Sequence, residues 1–440
     1  MSSPEGDHGG GILKTRVVNG MKTQIPPDLT PGPSGSRKAG FPDLAIAGGA
    51  PAFGEALHVG RPNVGNRERL FERIGDVLDR KWLTNNGEYV REFEQRISEA
   101  LGVGHSVAMS NGTVALEIAS RALGLSGEVI LPSFTFVATA HALQWQGITP
   151  VFCDVDPATH TLDPDRIEER ISPATTGIIA VHVWGQPCDV TALARIAARR
   201  GLKILYDASH AFGCSHLGQM VGQFGEAEVF SFHATKFLNT FEGGAVVTNN
   251  GDLAGRMRLM RNFGFTGEDR VVCLGTNGKM NEVSAAMGLT GLESVGDFVD
   301  VNHAHYKEYR RGLAGIPGVN LLEIDEREKR NYQYVVLEID SALSGVSRDE
   351  VACALRAENV LARRYFFPGC HRFEPYRTLY PDAARFLPET ERLVSQVLCL
   401  PTGTAIGQGE IDTICDIIRL TVSHASDVKG LISGAGDSPE

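Results

Sequence analysis

Between His105 and Tyr206, short apolar runs alternate with amphipathic stretches, and this rhythm restricts the fold of the 440-residue chain more than any other feature. The runs His105–Met109, Glu128–Leu131, Pro150–Cys153, Gly177–His182 and Leu202–Tyr206 read as strands. Between them, Thr113–Leu123, Phe136–Gln146, Asp163–Ile171 and the stretch from a capping Asp189 to Arg200 read as helices. In the first of these, Ala115, Ile118, Ala119 and Ala122 share one face. Strands separated by helices of about 10–15 residues form a largely parallel sheet covered on both sides. The unbroken apolar run from Gly177 to Val181 fits a strand buried on both faces. The class is therefore α/β.

After about Val301 the rhythm changes. A long helix (301–313), a strand (332–339), a helix (348–358), a strand (361–366) and a last helix (411–420) predict a smaller α+β domain. The expected organisation is a large domain with its N-terminal segment over 41–300 and a small domain over 301–425. Asn66–Ala100 is expected to be mostly helical and to pack with the small domain. Its break at Leu83-Thr84-Asn85-Asn86-Gly87 is a loop, because Asn and Gly accept positive φ. Residues 1–40, rich in Gly, Pro and Ser, read as a disordered leader and 426–440 as a flexible tail.

No window approaches the ~18 apolar residues of a membrane helix. The net charge of −11 argues against a general nucleic-acid or anionic-membrane surface. It leaves room for a phosphorylated ligand, which needs only a few local donors. None of the eight cysteines forms a C-x-x-C pair, so reduced thiols in a cytoplasmic protein are expected.

Several polar residues fall where strands end, the place where ligands bind in open α/β sheets. Ser110-Asn111-Gly112-Thr113 joins a strand to a helix start, where free amides and the helix dipole favour an anion. A plain cap at Asn111 or Thr113 explains the same residues. Phe134 and Phe136 follow another strand and can stack on a flat heterocycle or simply fill the core. Asp207 and His210 follow Tyr206. A carboxylate there can keep a pyridine nitrogen protonated; a helix cap, or a metal site with His182, Asp207, His210, His233 and Glu242 as candidate ligands, are the alternatives. Lys236 lies among Phe232, Ala234, Phe237 and Leu238, five residues after Ser231. Burial there lowers a lysine's pKa, which a Schiff-base lysine requires.

Taken together these residues resemble the DegT/DnrJ/EryC1/StrS sugar aminotransferases, from about Phe41 to Leu420. The likeness rests on Trp82–Gly87, Ser110–Thr113, Phe134–Thr139, Asp207–His210, Ser231–Lys236 and Gly275–Met280. It implies the fold type I (aspartate aminotransferase-like) architecture, with a mostly parallel seven-stranded sheet, pyridoxal 5'-phosphate as cofactor and a homodimer sharing its active sites. By that likeness Lys236 is the Schiff-base lysine and Asp207 pairs with the pyridine nitrogen. His210 lies near the cofactor ring and Phe136 stacks on it. Gly112, Thr113 and Ser231 bind phosphate, and Asn277 reaches it from the neighbouring subunit. Thr84, Asn85, Lys279 and Tyr365 are expected to contact substrate; Lys279 stands where many members carry Arg. Dehydratase relatives replace the lysine with His, so Lys236 favours a transaminase. The resemblance implies glutamate as donor and a nucleotide-linked keto-deoxyhexose as acceptor, dTDP-4-keto-6-deoxyglucose aminated at C4 being favoured. A C3-keto sugar, a keto-cyclitol, a non-catalytic cofactor-binding regulator and a metal hydrolase are the rivals.

Overall fold

The computed structural model describes residues 36–434. Its centre is a sheet of β1 (His105–Met109), β2 (Glu128–Pro132), β3 (Thr149–Cys153), β4 (Thr175–Val181), β5 (Lys203–Asp207), β6 (Ala227–Ser231) and β7 (Gly244–Thr248). The spatial order is β1-β7-β6-β5-β4-β2-β3. Only β7 runs against its neighbours; the other pairs are parallel. The C-terminal ends of six strands and the start of β7 therefore share one edge.

Helices cover both faces. They are α1 (Arg67–Arg80), α2 (Glu88–Leu101), α3 (Gly112–Leu123), α4 (Ala138–Gln144), α5 (Val190–Arg200), α6 (Gly251–Met260), α7 (Glu282–Leu292) and α8 (Val295–Leu313). On one face Leu116 and Ala119 of α3 pack with Val129, Leu131, Ile179, Leu205 and Val229. On the other, Phe93, Ile97 and Leu101 of α2 pack with Phe230, Phe232 and Val247, and Leu193 and Ile196 of α5 with Ile178 and Ile204. Each of the Val, Leu, Ile and Phe side chains among these contributes roughly 1.5–3 kcal/mol through burial.

The small domain holds an antiparallel sheet of β8 (Val319–Leu321), β9 (Val335–Ile339) and β10 (Val397–Leu400), with β9 in the middle. Around it lie α9 (Arg348–Ala357), α10 (Pro388–Gln396), α11 (Gln408–Ser423) and α12 (Ala425–Gly434).

Several expectations need correction. Asn66–Ala100 does not pack with the small domain: α2 lies on the large sheet, and Arg73 of α1 bonds Thr290 and Glu293 beside α7. Conversely, the segment from Phe41, expected with the large domain, places Leu44, Ala52 and Phe53 in the small-domain core with Val335, Leu398 and Ile414. Leu57–His58 pairs in parallel with Val360–Leu361. The domain change does not fall at residue 300 either, because α8 begins at Val295 and serves both cores: Phe298 joins the large one, Tyr309 and Leu313 the small one.

The expected strand 361–366 is reduced to Val360–Leu361, with a lone bridge between Arg363 and Cys399. Beyond it Pro368 offers no amide to a ladder. Residues 36–40 of the expected leader are fixed: the buried Lys38 ammonium lies 3.0 Å from the Glu358 carboxylate. Residues 1–35 and 435–440 lie outside the described residues. The expected tail 426–440 begins instead as α12, with Val428 fully buried.

Candidate active site

The site is built from the sheet edge outward. Asn111 caps α3, its side chain accepting from the Val114 amide at 2.8 Å. That leaves Gly112 and Thr113 at the positive end of a twelve-residue helix. Ser231, last residue of β6, faces this turn, on the same side of the sheet as Val229. A Cβ placed on Gly112 would lie 3.0 Å from Ser231 Cβ and 3.2 Å from its Oγ, so a side chain there would fill the gap between helix and strand.

Asp207 ends β5 and is buried. Its Oδ2 accepts from Thr139 Oγ1 of α4 at 2.9 Å and its Oδ1 from the Ser209 amide at 3.1 Å. Lys236 lies in the loop between β6 and β7, half-buried behind Phe237 and Leu238. Burial pushes its pKa down to about 8, a shift that the charge of Asp207 partly opposes. His210 is held well below its usual pKa by burial and then by the charge of Lys236. The structure therefore brings Gly112, Thr113, Ser231, Asp207, His210 and Lys236 to one edge, with His210 neutral.

Phe136 is 58% exposed, whereas Phe134 is fully buried in the core. Phe136 and Tyr365 line a cavity of about 320 Å³ with Arg363, Arg364, Phe366 and Phe373. The Phe366 ring stacks on that of His210, with centroids 6.0 Å apart, and so joins this cavity to the sheet edge. Four further candidates lie elsewhere. Asn85 and Lys279 open into a second cavity of about 220 Å³ with Arg258, Arg261 and Asn262. Burial, followed by the charge of Arg261, lowers the Lys279 pKa. Thr84 is exposed, and Asn85 and Asn86 adopt φ of 64° and 61° in the expected loop. Asn277 is exposed and makes an isolated antiparallel bridge to Asn262.

Known proteins resemble this chain over most of its length. The model of the DegT/DnrJ/EryC1/StrS aminotransferase family matches residues 65–419. The chain belongs to that family. It is 38% identical over 363 residues to dTDP-4-amino-4,6-dideoxy-D-glucose transaminase of Shigella dysenteriae, covering 82% of this chain and 98% of the relative. It is 32% identical over 363 residues to GDP-perosamine synthase of Caulobacter vibrioides, covering 81% and 96%. The crystal structure of DesI in the presence of its TDP-sugar product superposes with a TM-score of 0.84 at 48% identity, over 88% of this chain and 98% of that one. The fold is accordingly of the type I, aspartate aminotransferase-like class, and the protein is a sugar aminotransferase.

The metal-hydrolase alternative finds no geometry in this aminotransferase. Among the described residues no three His, Cys, Asp or Glu side chains are grouped to hold a metal. His182 lies 3.3 Å from the Glu228 carboxylate, the His210 ring lies tilted against that of Tyr334, and His233 bonds Thr235.

Sequence reasoning gave no role to Thr139, Trp184 or Arg363. Thr139 lies four residues after Thr135, one helical turn from the strand-end segment, and that spacing was the available signal. Trp184 follows β4 at the same sheet edge, so its position was the signal. Arg363 carried none, because it reaches the site through folding of the small domain.

Proposed function

We propose that this aminotransferase uses pyridoxal 5'-phosphate to transfer an amino group from glutamate to C4 of dTDP-4-keto-6-deoxyglucose, as a cytoplasmic homodimer. One observation carries the reading: a lysine whose pKa is pushed down to about 8 stands beside a buried aspartate at the edge that also holds a helix N-terminus facing Ser231.

The residues fit the cofactor. The gap that a Cβ on Gly112 would close gives a phosphate access to the amides of Gly112 and Thr113 and to the Ser231 hydroxyl. Phe136 is exposed enough to stack on a ring. When bound, pyridoxal phosphate supplies an electron-withdrawing ring that stabilises the electron pair left on a carbon losing its proton.

The chain's own groups do the rest. Lys236, part of which is unprotonated near neutral pH, would hold the cofactor and move the substrate proton at its Nζ as base and then acid. Asp207, oriented by Thr139 and the Ser209 amide, would hold a proton on the cofactor's ring nitrogen. His210, neutral, offers a hydrogen bond without competing charge. Asn277 would contribute to phosphate binding in a neighbouring subunit, and Thr84, Asn85, Lys279 and Tyr365 would contact the sugar nucleotide.

The choice of sugar is supported by likeness to the Shigella transaminase and to DesI, whose structure was obtained with its TDP-sugar product. Eight free thiols support the cytoplasmic assignment. Incubation with dTDP-4-keto-6-deoxyglucose, dTDP-3-keto-6-deoxyglucose and scyllo-inosose, each with glutamate or glutamine, followed by mass and NMR analysis, tests the reaction. A C4-amino product from the first acceptor with glutamate is expected, and an amino product from another acceptor alone overturns the assignment. Mixing inactive Lys236→Ala subunits with Asn277→Ala subunits tests the shared site. Activity returns if Asn277 acts across the dimer and stays absent if it does not.

A further inference from the structure

Trp184 is held in an unusual way. It follows β4 with φ 61° and ψ 6°, in the left-handed region that a bulky residue occupies only when its surroundings force it there. It is 6% exposed, whereas the other two tryptophans, Trp82 and Trp145, are exposed. Phe134, Tyr334 and Phe366 surround its ring at centroid distances of 5.9, 5.4 and 5.3 Å.

Two hydrogen bonds leave Trp184 in different directions. Its backbone N–H donates to His210 Nδ1 at 3.2 Å. Its indole N–H donates to His160 Nδ1, also at 3.2 Å. His160 is itself fully buried with φ 61°, in a turn closed by Asp156 and Thr161. Its Nε2 lies 3.0 Å from Glu338 Oε1 on β9, and Arg392 of α10 donates to Glu338 Oε2 at 2.8 Å. The assignment of protons follows from the donors. The indole can only donate, so His160 Nδ1 accepts and Nε2 carries the proton to the carboxylate. By the same logic, His210 accepts at Nδ1 and keeps its proton on Nε2.

We propose that His160, anchored by Glu338, is a positioning residue of the active site: through the Trp184 indole it holds the Trp184 amide against His210 and fixes His210 as the Nε2–H tautomer. The relay starts in the small domain and ends beside Lys236, so packing of the small domain is felt at the proton-bearing nitrogen. It rests on the transaminase reading only for the consequence that this tautomer serves the cofactor.

The test begins with the protein free of cofactor, so that the positioning is read whether or not the transaminase reading holds. Ring-nitrogen NMR signals of His210, assigned with His210→Gln, report its tautomer. The wild-type protein shows Nε2–H alone. His160→Phe is expected to give a mixture of tautomers. His160→Gln restores the single form, because its amide accepts from the indole and donates to Glu338. In the cofactor-loaded protein, His160→Phe is expected to shift the pH midpoint of the visible absorption band. It also lowers kcat about 10-fold with KM for glutamate little changed, and His160→Gln reverses both effects. If His160→Phe does not fold, Trp184→Phe removes the indole donor while keeping an aromatic ring and the backbone amide, and is expected to give the same mixture. His210 nitrogen signals unchanged in whichever of these variants folds would overturn the proposal. Altered signals in a protein that lacks transaminase activity would uphold the positioning and sink the function.

Discussion

At the sheet edge, Gly112, Asp207 and Ser231 each begin a helix or end a strand. In the larger cavity, Tyr365, Phe367 and Phe373 lie on a segment whose only regular structure after Leu361 is the short turn Cys370–Arg372. The first region is placed by backbone ladders between neighbouring strands. The second is pinned by long-range bonds: the Cys370 amide to the Ser133 carbonyl at 3.0 Å, and His371 Nδ1 to Ser133 Oγ at 2.7 Å. The contrast suggests a division of labour, with fixed chemistry at the rigid edge and substrate choice in the segment whose course depends on many side chains.

The largest effect that would expose this division is at Lys236. Lys236→Ala should remove the visible absorption band of the loaded enzyme and lower activity by at least about 10³-fold; spectra and single-turnover assays read both, and a variant retaining either counts against the assignment. Next comes Gly112→Ala, whose methyl group would press on Ser231. Its dissociation constant for pyridoxal phosphate should rise about 10-fold in an equilibrium titration. Arg363→Ala, in the cavity, should raise KM for the sugar nucleotide roughly 3- to 10-fold while leaving cofactor affinity unchanged. A loss of cofactor there would erase the distinction between the two regions.

The smallest effect is one of pH. Because burial holds Lys236 at about 8 against an ordinary 10.5, the unfolded chain binds this proton more tightly than the folded one. The cost of burying the charge is therefore present below pH 8 and is relieved as pH rises from 8 to 10.5. Urea midpoints of the cofactor-free protein should carry that rise, and Lys236→Met should lack it.

The same contrast accounts for what the sequence disclosed. The placement of Lys236, Asp207 and Ser231 at one sheet edge was legible because apolar runs mark strand ends. The partners of α2 and of Phe41–Phe53 were not, since periodicity shows that a face is buried but not what covers it. Tyr365 was named without its setting: the bonds that shape its segment join residues 238 positions apart in the chain. The link from Trp184 to Glu338 was hidden for the same reason, spanning 178 positions between His160 and Glu338. Helix α12 passed for a tail because it follows α11 almost directly and carries polar residues along much of its length.

Helix α8 places Phe298 in one core and Tyr309 and Leu313 in the other. A rod of nineteen residues, some 28 Å long at the usual rise, thus passes through what would otherwise be a hinge. Swinging the small domain away would drag an aromatic side chain out of one interior or the other. The two domains should consequently lose structure together, as a single calorimetric transition, and access to the site should depend on movement of its bordering loops.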